Sequence, residues 1–180
     1  SFVPEHLRAS MLNQAHMPLI GHFSDRFRET CRGSNGDLEI CGYSNGYTGL
    51  LNSMQQCLGG GCLDHLFDSP QKAINYVECH DNHTLWDKNS VCCQHESRGV
   101  LMQRQTLANA LVILAQGIPF LHAGQEFGRT KYNLGNSYNR SDHYNHIDYN
   151  LRNKHMPIVV DTKLLIKIRK EHPCFRLATK

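Results

Sequence analysis

Side chains able to do chemistry are concentrated in one short stretch of the sequence, residues 79–83. It contains His80, Asp81 and His83, and it follows a run over residues 73–77 whose β-branched and aromatic content predicts a buried strand. Polar clusters at the carboxyl ends of strands are where α/β barrels carry their active sites. Asp81 is therefore a candidate catalytic carboxylate. The alternative is that Asp81 caps a helix, as an Asp after a strand often does.

Strands and helices alternate along the part of the chain that must position this cluster. Residues 98–116 carry a broad apolar stripe that predicts a helix, which Gly117 ends. A second buried strand is predicted over residues 118–123, and a final amphipathic helix over residues 162–171. Because helical crossovers join parallel strands, this order predicts an α/β fold with the polar loops on one edge of the sheet.

The remaining segments are predicted from composition and turn signals. Ser24 or Asp25 is expected to cap a helix. Segments rich in glycine, asparagine and serine indicate loops. Helices are expected over residues 7–17 and 50–58, a long loop over residues 33–49, irregular structure over residues 91–97, and a polar loop over residues 131–150.

Composition and charge argue against several classes of protein. The chain has 180 residues, of which 40% are hydrophobic and 19% are charged, and this is typical of one globular domain with its own core. The formal net charge of +3 comes from scattered Lys and Arg, which argues against a nucleic-acid partner. No apolar run reaches the roughly 18 residues that suggest a membrane span, so no membrane partner is expected.

Eight cysteines raise the question of disulfides or a bound metal. Cys57 and Cys62 are separated by four residues, and Cys92 and Cys93 are adjacent, so neither pair has the spacing of a zinc site. The sequence therefore predicts free thiols, no metal site and a reducing compartment, which favours the cytoplasm. A metal site built from Cys92, Cys93 and His95 is the alternative.

Four ordered segments of the sequence resemble one family. Residues 75–87 read NYVECHDNHTLWD. They are similar to the last conserved region of the α-amylase superfamily, most closely that of type I pullulanases and glycogen-debranching enzymes. Residues 23–33 resemble the sixth strand and helix of the family's barrel, residues 116–127 resemble its eighth strand, and residues 136–148 resemble the loop after that strand.

The resemblance implies a fold, an activity and a partner. The fold would be a partial (β/α)₈ TIM barrel, in which residues 1–180 supply the sixth to eighth strands and helices. The activity would be hydrolysis of α-1,6 branch links in pullulan, glycogen or starch-derived dextrins with retention, which uses one carboxylate as nucleophile and a second as acid and base. The partner would be an α-glucan oligosaccharide or polysaccharide.

The resemblance also assigns roles to single residues. Asp81 matches the third carboxylate of the family, which hydrogen-bonds the sugar beside the scissile bond and stabilises the transition state. His80 would bind the same sugar. Trp86 would stack on sugar, with packing under the loop as an equal alternative. The loop after the eighth strand would add sugar contacts from Asn136, Tyr138, Asp142 and Asn145.

The nucleophile and the acid/base of the family find no match. The patterns Gly-Phe-Arg-x-Asp and Gly-Glu-aromatic, which carry them, do not occur in the sequence. We therefore expect a fragment that begins after the fifth strand, lacks the C-terminal β-domain, and is by itself inactive and poorly stable. Two positions depart from the family. Cys79 is expected to be a neutral apolar filler, and His146 stands where some pullulanases carry Arg.

Other functions stay open at this stage. Within the superfamily, the alternative is an isoamylase or a branching enzyme. Outside it, the alternatives are a non-catalytic carbohydrate-binding remnant or a Cys/His metal-binding module. No cofactor is assigned to the chain, and the calcium that many relatives bind has no ligands to name in it. The preferred α-glucan and the choice between secretion and the cytoplasm also stay open.

Overall fold

Three short strands and seven α-helices are found in the computed structural model, which describes residues 3–179. The strands are β1 (His22–Phe23), β2 (Ala73–Asn75) and β3 (Ile118–Pro119). The helices are α1 (Asp25–Arg32), α2 (Leu51–Leu58), α3 (Leu85–Cys92), α4 (Arg98–Leu114), α5 (Asp142–Asn145), α6 (Tyr149–Lys154) and α7 (Met156–Glu171). Short 3₁₀ turns lie at Glu5–Leu7, Met11–His16, Tyr43–Asn45, Thr48–Leu50, Pro70–Lys72, Gln125–Phe127 and Pro173–Phe175.

The strands form one parallel sheet in the order β1-β2-β3. Phe23 lies opposite Ile74, and Ile74 lies opposite Ile118. Because all three strands run the same way, their carboxyl ends meet at one edge of the sheet, and the segment after β2 leaves from the middle of that edge. The predicted α/β class with parallel strands is confirmed. The two strands predicted over residues 73–77 and 118–123 are real but shorter than expected.

The main hydrophobic core fixes the segment that leaves β2. Phe27 of α1, Met54 of α2 and Val112 of α4 are at most 1% exposed, and they belong to the same buried cluster as Val77 and Leu85. Burying one side chain of this size contributes about 1.5–3 kcal/mol. The core therefore anchors the chain directly before and directly after the polar residues 79–83.

Helix α7 packs along α4 and holds its end next to β3. The amide of Asn109 donates to Thr162 Oγ1 at 3.1 Å. The guanidinium of Arg169 donates to the carbonyl oxygens of Ile113 and Ala115, both at 2.7 Å. The last carbonyls of a helix have no partner within it, so Arg169 supplies the missing donors where α4 turns into β3.

Polar side chains cap four of the α-helices within residues 3–179 at their N-termini, among them α6, where Asp148 Oδ1 accepts from the Asn150 amide at 2.9 Å. Ser24 Oγ accepts from the Phe27 amide at 3.2 Å and begins α1, as predicted. Ser97 caps α4 in the same way. Thr84 caps α3 by accepting from the Asp87 amide at 3.2 Å. Such caps satisfy backbone donors that a helix leaves unpaired.

Several sequence-based predictions need correction. Helix α3 was not predicted, and it replaces the start of the irregular structure expected over residues 91–97. Helix α7 begins six residues earlier than the predicted helix over residues 162–171. The helix expected over residues 7–17 is a pair of 3₁₀ turns, and the polar loop over residues 131–150 contains the short helix α5. Helix α4 and the helix over residues 50–58 agree with the prediction to within two residues.

The prediction that all cysteines are free thiols is wrong for one pair. Cys41 and Cys92 form a disulfide, with Cα atoms 5.9 Å apart. An isolated antiparallel bridge between Gly33 and Cys41 turns the loop after α1 back toward the end of α3, where Cys92 lies. The two cysteines are 51 residues apart in sequence, so the spacing of neighbouring cysteines could not predict that they pair.

Candidate functional site

Asp81 lies in the turn between β2 and α3, at the carboxyl edge of the sheet. The preceding residues Tyr76 and Val77 are buried, whereas the His80 side chain is exposed and Asp81 is half-buried. Since Thr84 is the residue that caps α3, Asp81 is not a helix cap. The helix-cap alternative for Asp81 is therefore wrong, and the Asp81 residue is partly exposed to solvent.

The thiol of Cys79 contacts the carboxylate of Asp81. Cys79 Sγ donates a hydrogen bond to Asp81 Oδ1. This bond lowers the pKa of Asp81, burial opposes the shift, and electrostatic interactions with His80 and Arg28 assist it. Burial and the neighbouring carboxylate raise the pKa of Cys79, so its thiol stays protonated and keeps donating. Cys79 is therefore not merely an apolar filler, and sequence reasoning missed its hydrogen bond to Asp81.

A buried lysine fixes the backbone of the turn. Lys131 Nζ donates to the carbonyl oxygen of His80 at 3.3 Å and to that of Gly135 at 2.7 Å. Its backbone amide donates to Asp87 Oδ2 at 2.9 Å, and burial lowers the pKa of the Lys131 ammonium. Lys131 thus joins the turn after β2 to the loop that follows β3.

Arg32 holds the same turn from the opposite side. It is 1% exposed, and its guanidinium donates to the carbonyl oxygen of His83 at 2.7 Å and to Asn35 Oδ1. Burial lowers the pKa of Arg32, while the charge of Glu78 opposes that shift. With Lys131 and Arg32 bonded to its carbonyls, the turn that carries His80 and Asp81 is held before any ligand binds, which reduces the entropy that binding must overcome.

Glu78 is a further residue that sequence reasoning left out. Its side chain is 2% exposed, and it accepts from the Leu85 amide at the start of α3 and from His122 Nδ1 at 3.1 Å. His122 Nε2 lies 3.4 Å from the guanidinium of Arg129, which also donates to the carbonyl oxygen of Asn145 at 2.6 Å. This chain of bonds connects the ends of β2 and β3 with the loop over residues 136–148.

The predicted residues of that loop take different positions. Asn136 Oδ1 accepts from the backbone amide of Asn82 at 3.3 Å, so it touches the turn. Asn145 uses its amide within the loop, donating to the carbonyl oxygen of Ser137 at 2.8 Å. Tyr138 is 88% exposed, and Asp142 is exposed at the first position of α5. The structure therefore brings Asn136 to the turn and uses Asn145 as a brace of the loop.

Trp86 takes a packed position. Its ring centroid lies 4.4 Å from that of His155. A Cβ atom added to Gly128 would lie 2.7 Å from the indole, so only glycine fits beneath it. These contacts correspond to the packing role that the sequence left open beside sugar stacking.

Residues 3–179 contain neither a group of metal ligands nor a helix able to span a membrane. Among residues 3–179, no three His, Cys, Asp or Glu side chains come together in a group that could hold a metal ion. Within the same residues, no helix combines the length and the apolar character needed to cross a bilayer.

Comparison with known proteins shows the class to which this arrangement corresponds. The chain is 39% identical over 179 residues to the pullulanase of Bacillus subtilis (strain 168), covering 97% of the chain and 25% of that relative. The crystal structure of the pullulanase from Anoxybacillus sp. LM18-11 complexed with maltotetraose superimposes with a TM-score of 0.96 at 43% identity, over 99% of the chain and 26% of that structure.

A second solved structure agrees with the first. Type I pullulanase from Bacillus subtilis str. 168, complexed with maltose, matches with a TM-score of 0.95 at 38% identity, over 99% of the chain and 26% of that structure. No protein-family model matches the chain. The chain spans about a quarter of the length of the relatives it matches.

By these similarities in sequence and structure, the chain is homologous to a region of glycoside hydrolases. More particularly, its relatives are pullulanases, and the resemblance to pullulanase-type glycoside hydrolases that residues 75–87 suggested is confirmed.

Proposed function

We propose that the chain supplies one part of the active site of a retaining glycoside hydrolase that cleaves α-1,6 branch links, with Asp81 as the carboxylate that stabilises the transition state. One observation carries the proposal. Asp81 stands at the carboxyl edge of a parallel sheet with a lowered pKa, inside a region that is similar to pullulanases along nearly the whole chain. The partner proposed is an α-glucan, since a related pullulanase was crystallised with maltotetraose.

The three strands would be the sixth to eighth strands of a (β/α)₈ barrel. In support, β1, β2 and β3 are parallel, lie side by side in chain order, and are connected through helices. Within residues 3–179, β1 and β3 each have a strand neighbour on one side only. Further strands of a longer polypeptide would close the sheet and would carry the nucleophile and the acid/base, for which this chain has no matching pattern.

The local contacts of Asp81 suit this role. An ionised carboxylate accepts hydrogen bonds from sugar hydroxyls, and these bonds strengthen as positive charge develops at the anomeric carbon. The Cys79 thiol donates to Asp81 and favours its ionised form, and the exposed imidazole of His80 offers a second polar contact to the same sugar. Lys131 and Arg32 hold the backbone of the turn, so the carboxylate is positioned before the substrate arrives.

The test uses an exchange enzyme, in which this chain replaces the matched region of the Bacillus subtilis pullulanase. We expect the exchange enzyme to release maltotriose from pullulan. Asp81→Asn should lower kcat by about 10²–10³-fold, the range for losing one charge-stabilising contact in a transition state. Asp161→Asn, on the exposed face of α7, is the matched control and should leave kcat unchanged.

Three results would contradict the proposal. The assignment of Asp81 is wrong if Asp81→Asn keeps kcat close to that of the unsubstituted enzyme. Transfer of glucan chains without release of maltotriose would indicate the branching-enzyme alternative, and retained binding without turnover would indicate a carbohydrate-binding remnant.

A further inference from the structure

Three aromatic side chains pack together beside the turn between β2 and α3, and none of them contacts Asp81 through a hydrogen bond or ring contact found in the structure. Tyr132 and His143 stack face to face, with ring centroids 4.8 Å apart and planes 7° from parallel. Tyr144 packs edge-on against both rings, at 6.2 Å from Tyr132 and 5.1 Å from His143. Tyr132 is 51% exposed and His143 is exposed as well. We call Tyr132, His143 and Tyr144 the aromatic platform.

The backbone under the platform is held in an uncommon conformation. Tyr132 and Asn133 both have positive φ angles, 54° and 62°, which residues other than glycine rarely adopt. The Tyr132 amide donates to Thr130 Oγ1 at 2.8 Å, and Thr130 in turn donates to the buried carboxylate of Asp87. A strained pair of residues that persists because its surroundings fix it is typical of a functional site. Here the result is an aromatic side chain held outward into solvent.

The platform adjoins the turn that carries Asp81. Lys131, the residue before Tyr132, donates to the carbonyl oxygen of His80. A Cβ atom added to Gly135 would lie 3.2 Å from the His83 ring, and Asn136 accepts from the Asn82 amide. The loop that presents the platform is therefore in direct contact with the turn that carries Asp81.

The chemistry of the platform fits a sugar ring. A pyranose presents a flat C–H face with hydroxyls around its rim, and stacked aromatic rings with polar edges match both features. We propose that Tyr132 and His143, flanked by Tyr144, bind a glucosyl residue of an α-glucan beyond the sugar held at Asp81. The proposal rests on the proposed function, which it deepens by a further binding surface along the same substrate chain.

Footprinting of the exchange enzyme tests binding without depending on turnover. Hydroxyl-radical oxidation, followed by mass spectrometry, is measured with maltotetraose present and absent. We expect maltotetraose to protect Tyr132 and His143, and to leave Tyr149 unprotected, since Tyr149 is 65% exposed and lies outside the platform. Cellotetraose, whose β-links give the chain a different curvature, should protect neither residue of the platform.

Kinetics with pullulan test the same surface through variants. Tyr132→Leu and His143→Ala should each raise KM by about three- to tenfold, the range for one lost aromatic contact, with kcat retained. Tyr132→Phe keeps the stacking ring and loses only the polar edge, so its rise in KM should be smaller than that of Tyr132→Leu. Tyr149→Leu is the control for substitution of an exposed tyrosine and should also keep KM unchanged.

The outcomes separate this proposal from the proposed function. Cleavage of pullulan, with no protection of the platform and no change of KM in its variants, overturns the platform and leaves the function standing. Protection by maltotetraose without any cleavage of pullulan supports the platform and overturns the proposed function. Protection together with the expected rise in KM supports both.

Discussion

At the scale of single residues, Asp81 depends on its neighbour Cys79. The thiol donates to the carboxylate, and this bond is the largest cause that lowers the pKa of Asp81. Within the proposed mechanism only the ionised form of Asp81 stabilises the transition state, so a lowered pKa keeps the enzyme active toward acid pH. Under this proposal the thiol would extend the range of pH in which Asp81 acts.

Replacement of Cys79 tests this dependence. Cys79→Ala removes the donor, so the pKa of Asp81 should rise toward its ordinary value and the acid limb of kcat/KM for pullulan should move to higher pH. Cys79→Ser retains a donor and should keep the limb close to its original position. The measurement is the pH profile of the exchange enzyme and both variants. An acid limb that is unchanged in Cys79→Ala would show that the thiol does not control Asp81.

At the scale of elements, helix α3 is held by a buried lysine. Lys88 is fully buried, and its ammonium donates to the carbonyl oxygens of Ser34 at 3.1 Å, Asp37 at 2.5 Å and Ile40 at 2.7 Å. These three carbonyls belong to the loop that follows α1. Lys88 therefore joins α3 to that loop, and the Cys41–Cys92 disulfide joins the same two elements a short distance away.

Replacement of the Lys88 side chain should destabilise the fold. Lys88→Met removes the buried ammonium that donates to these three carbonyls, and we expect the free energy of unfolding to fall by about 1–3 kcal/mol. Lys163→Met, at an exposed position of α7, is the matched control and should change stability by less than about 0.5 kcal/mol. Urea unfolding of the exchange enzyme measures both. Equal stability of the two variants would contradict a role for the Lys88 bonds.

The same lysine should make stability depend on pH. Burial lowers the pKa of Lys88 from 10.5 to about 8. Between these values the unfolded chain binds the proton that the folded chain has lost, so this group makes stability rise with pH in that window. The difference in unfolding free energy between the unsubstituted protein and Lys88→Met, followed from pH 8 upward, should grow accordingly. A difference independent of pH would exclude this linkage.

At the scale of the whole molecule, the sheet carries an aromatic cluster with an exposed member. Phe23, Tyr76 and Phe120 follow or end the three strands, with Phe23 5.0 Å from Tyr76 and 5.1 Å from Phe120 between ring centroids. Phe23 is nevertheless 45% exposed. In the proposed barrel, additional strands would cover this cluster and pair with the open sides of β1 and β3.

The 180-residue chain by itself should therefore be poorly stable and inactive. Three short strands with open edges leave apolar surface and backbone groups uncovered, and the proposed nucleophile and acid/base lie elsewhere. Circular dichroism during urea unfolding should show a broad transition, and pullulan should not be cleaved. A purified 180-residue chain that unfolds cooperatively and releases maltotriose would contradict the proposed barrel position.

The sequence alone determined the features that depend on neighbouring residues. The strand before Asp81, the apolar stripe of α4 and the Ser24 cap are local patterns, and the similarity of residues 75–87 to pullulanases needed no structure to detect. Local pattern also located the candidate site at the end of a strand. The roles of Asp81, His80 and the loop residues remain predictions, because each role is defined by contact with a sugar.

Only the tertiary structure decided the features that join distant residues. Helix α3 carries the polar residues Asp87, Lys88 and Asn89 in buried positions, so its sequence has no apolar stripe to reveal it. These side chains are satisfied by partners more than 40 residues away in the loops after α1 and β3. The Cys41–Cys92 disulfide likewise forms because the loop after α1 folds back against the end of α3. Local patterning reports which side chains can be buried, but the fold decides which partners make burying a charge or a thiol favourable.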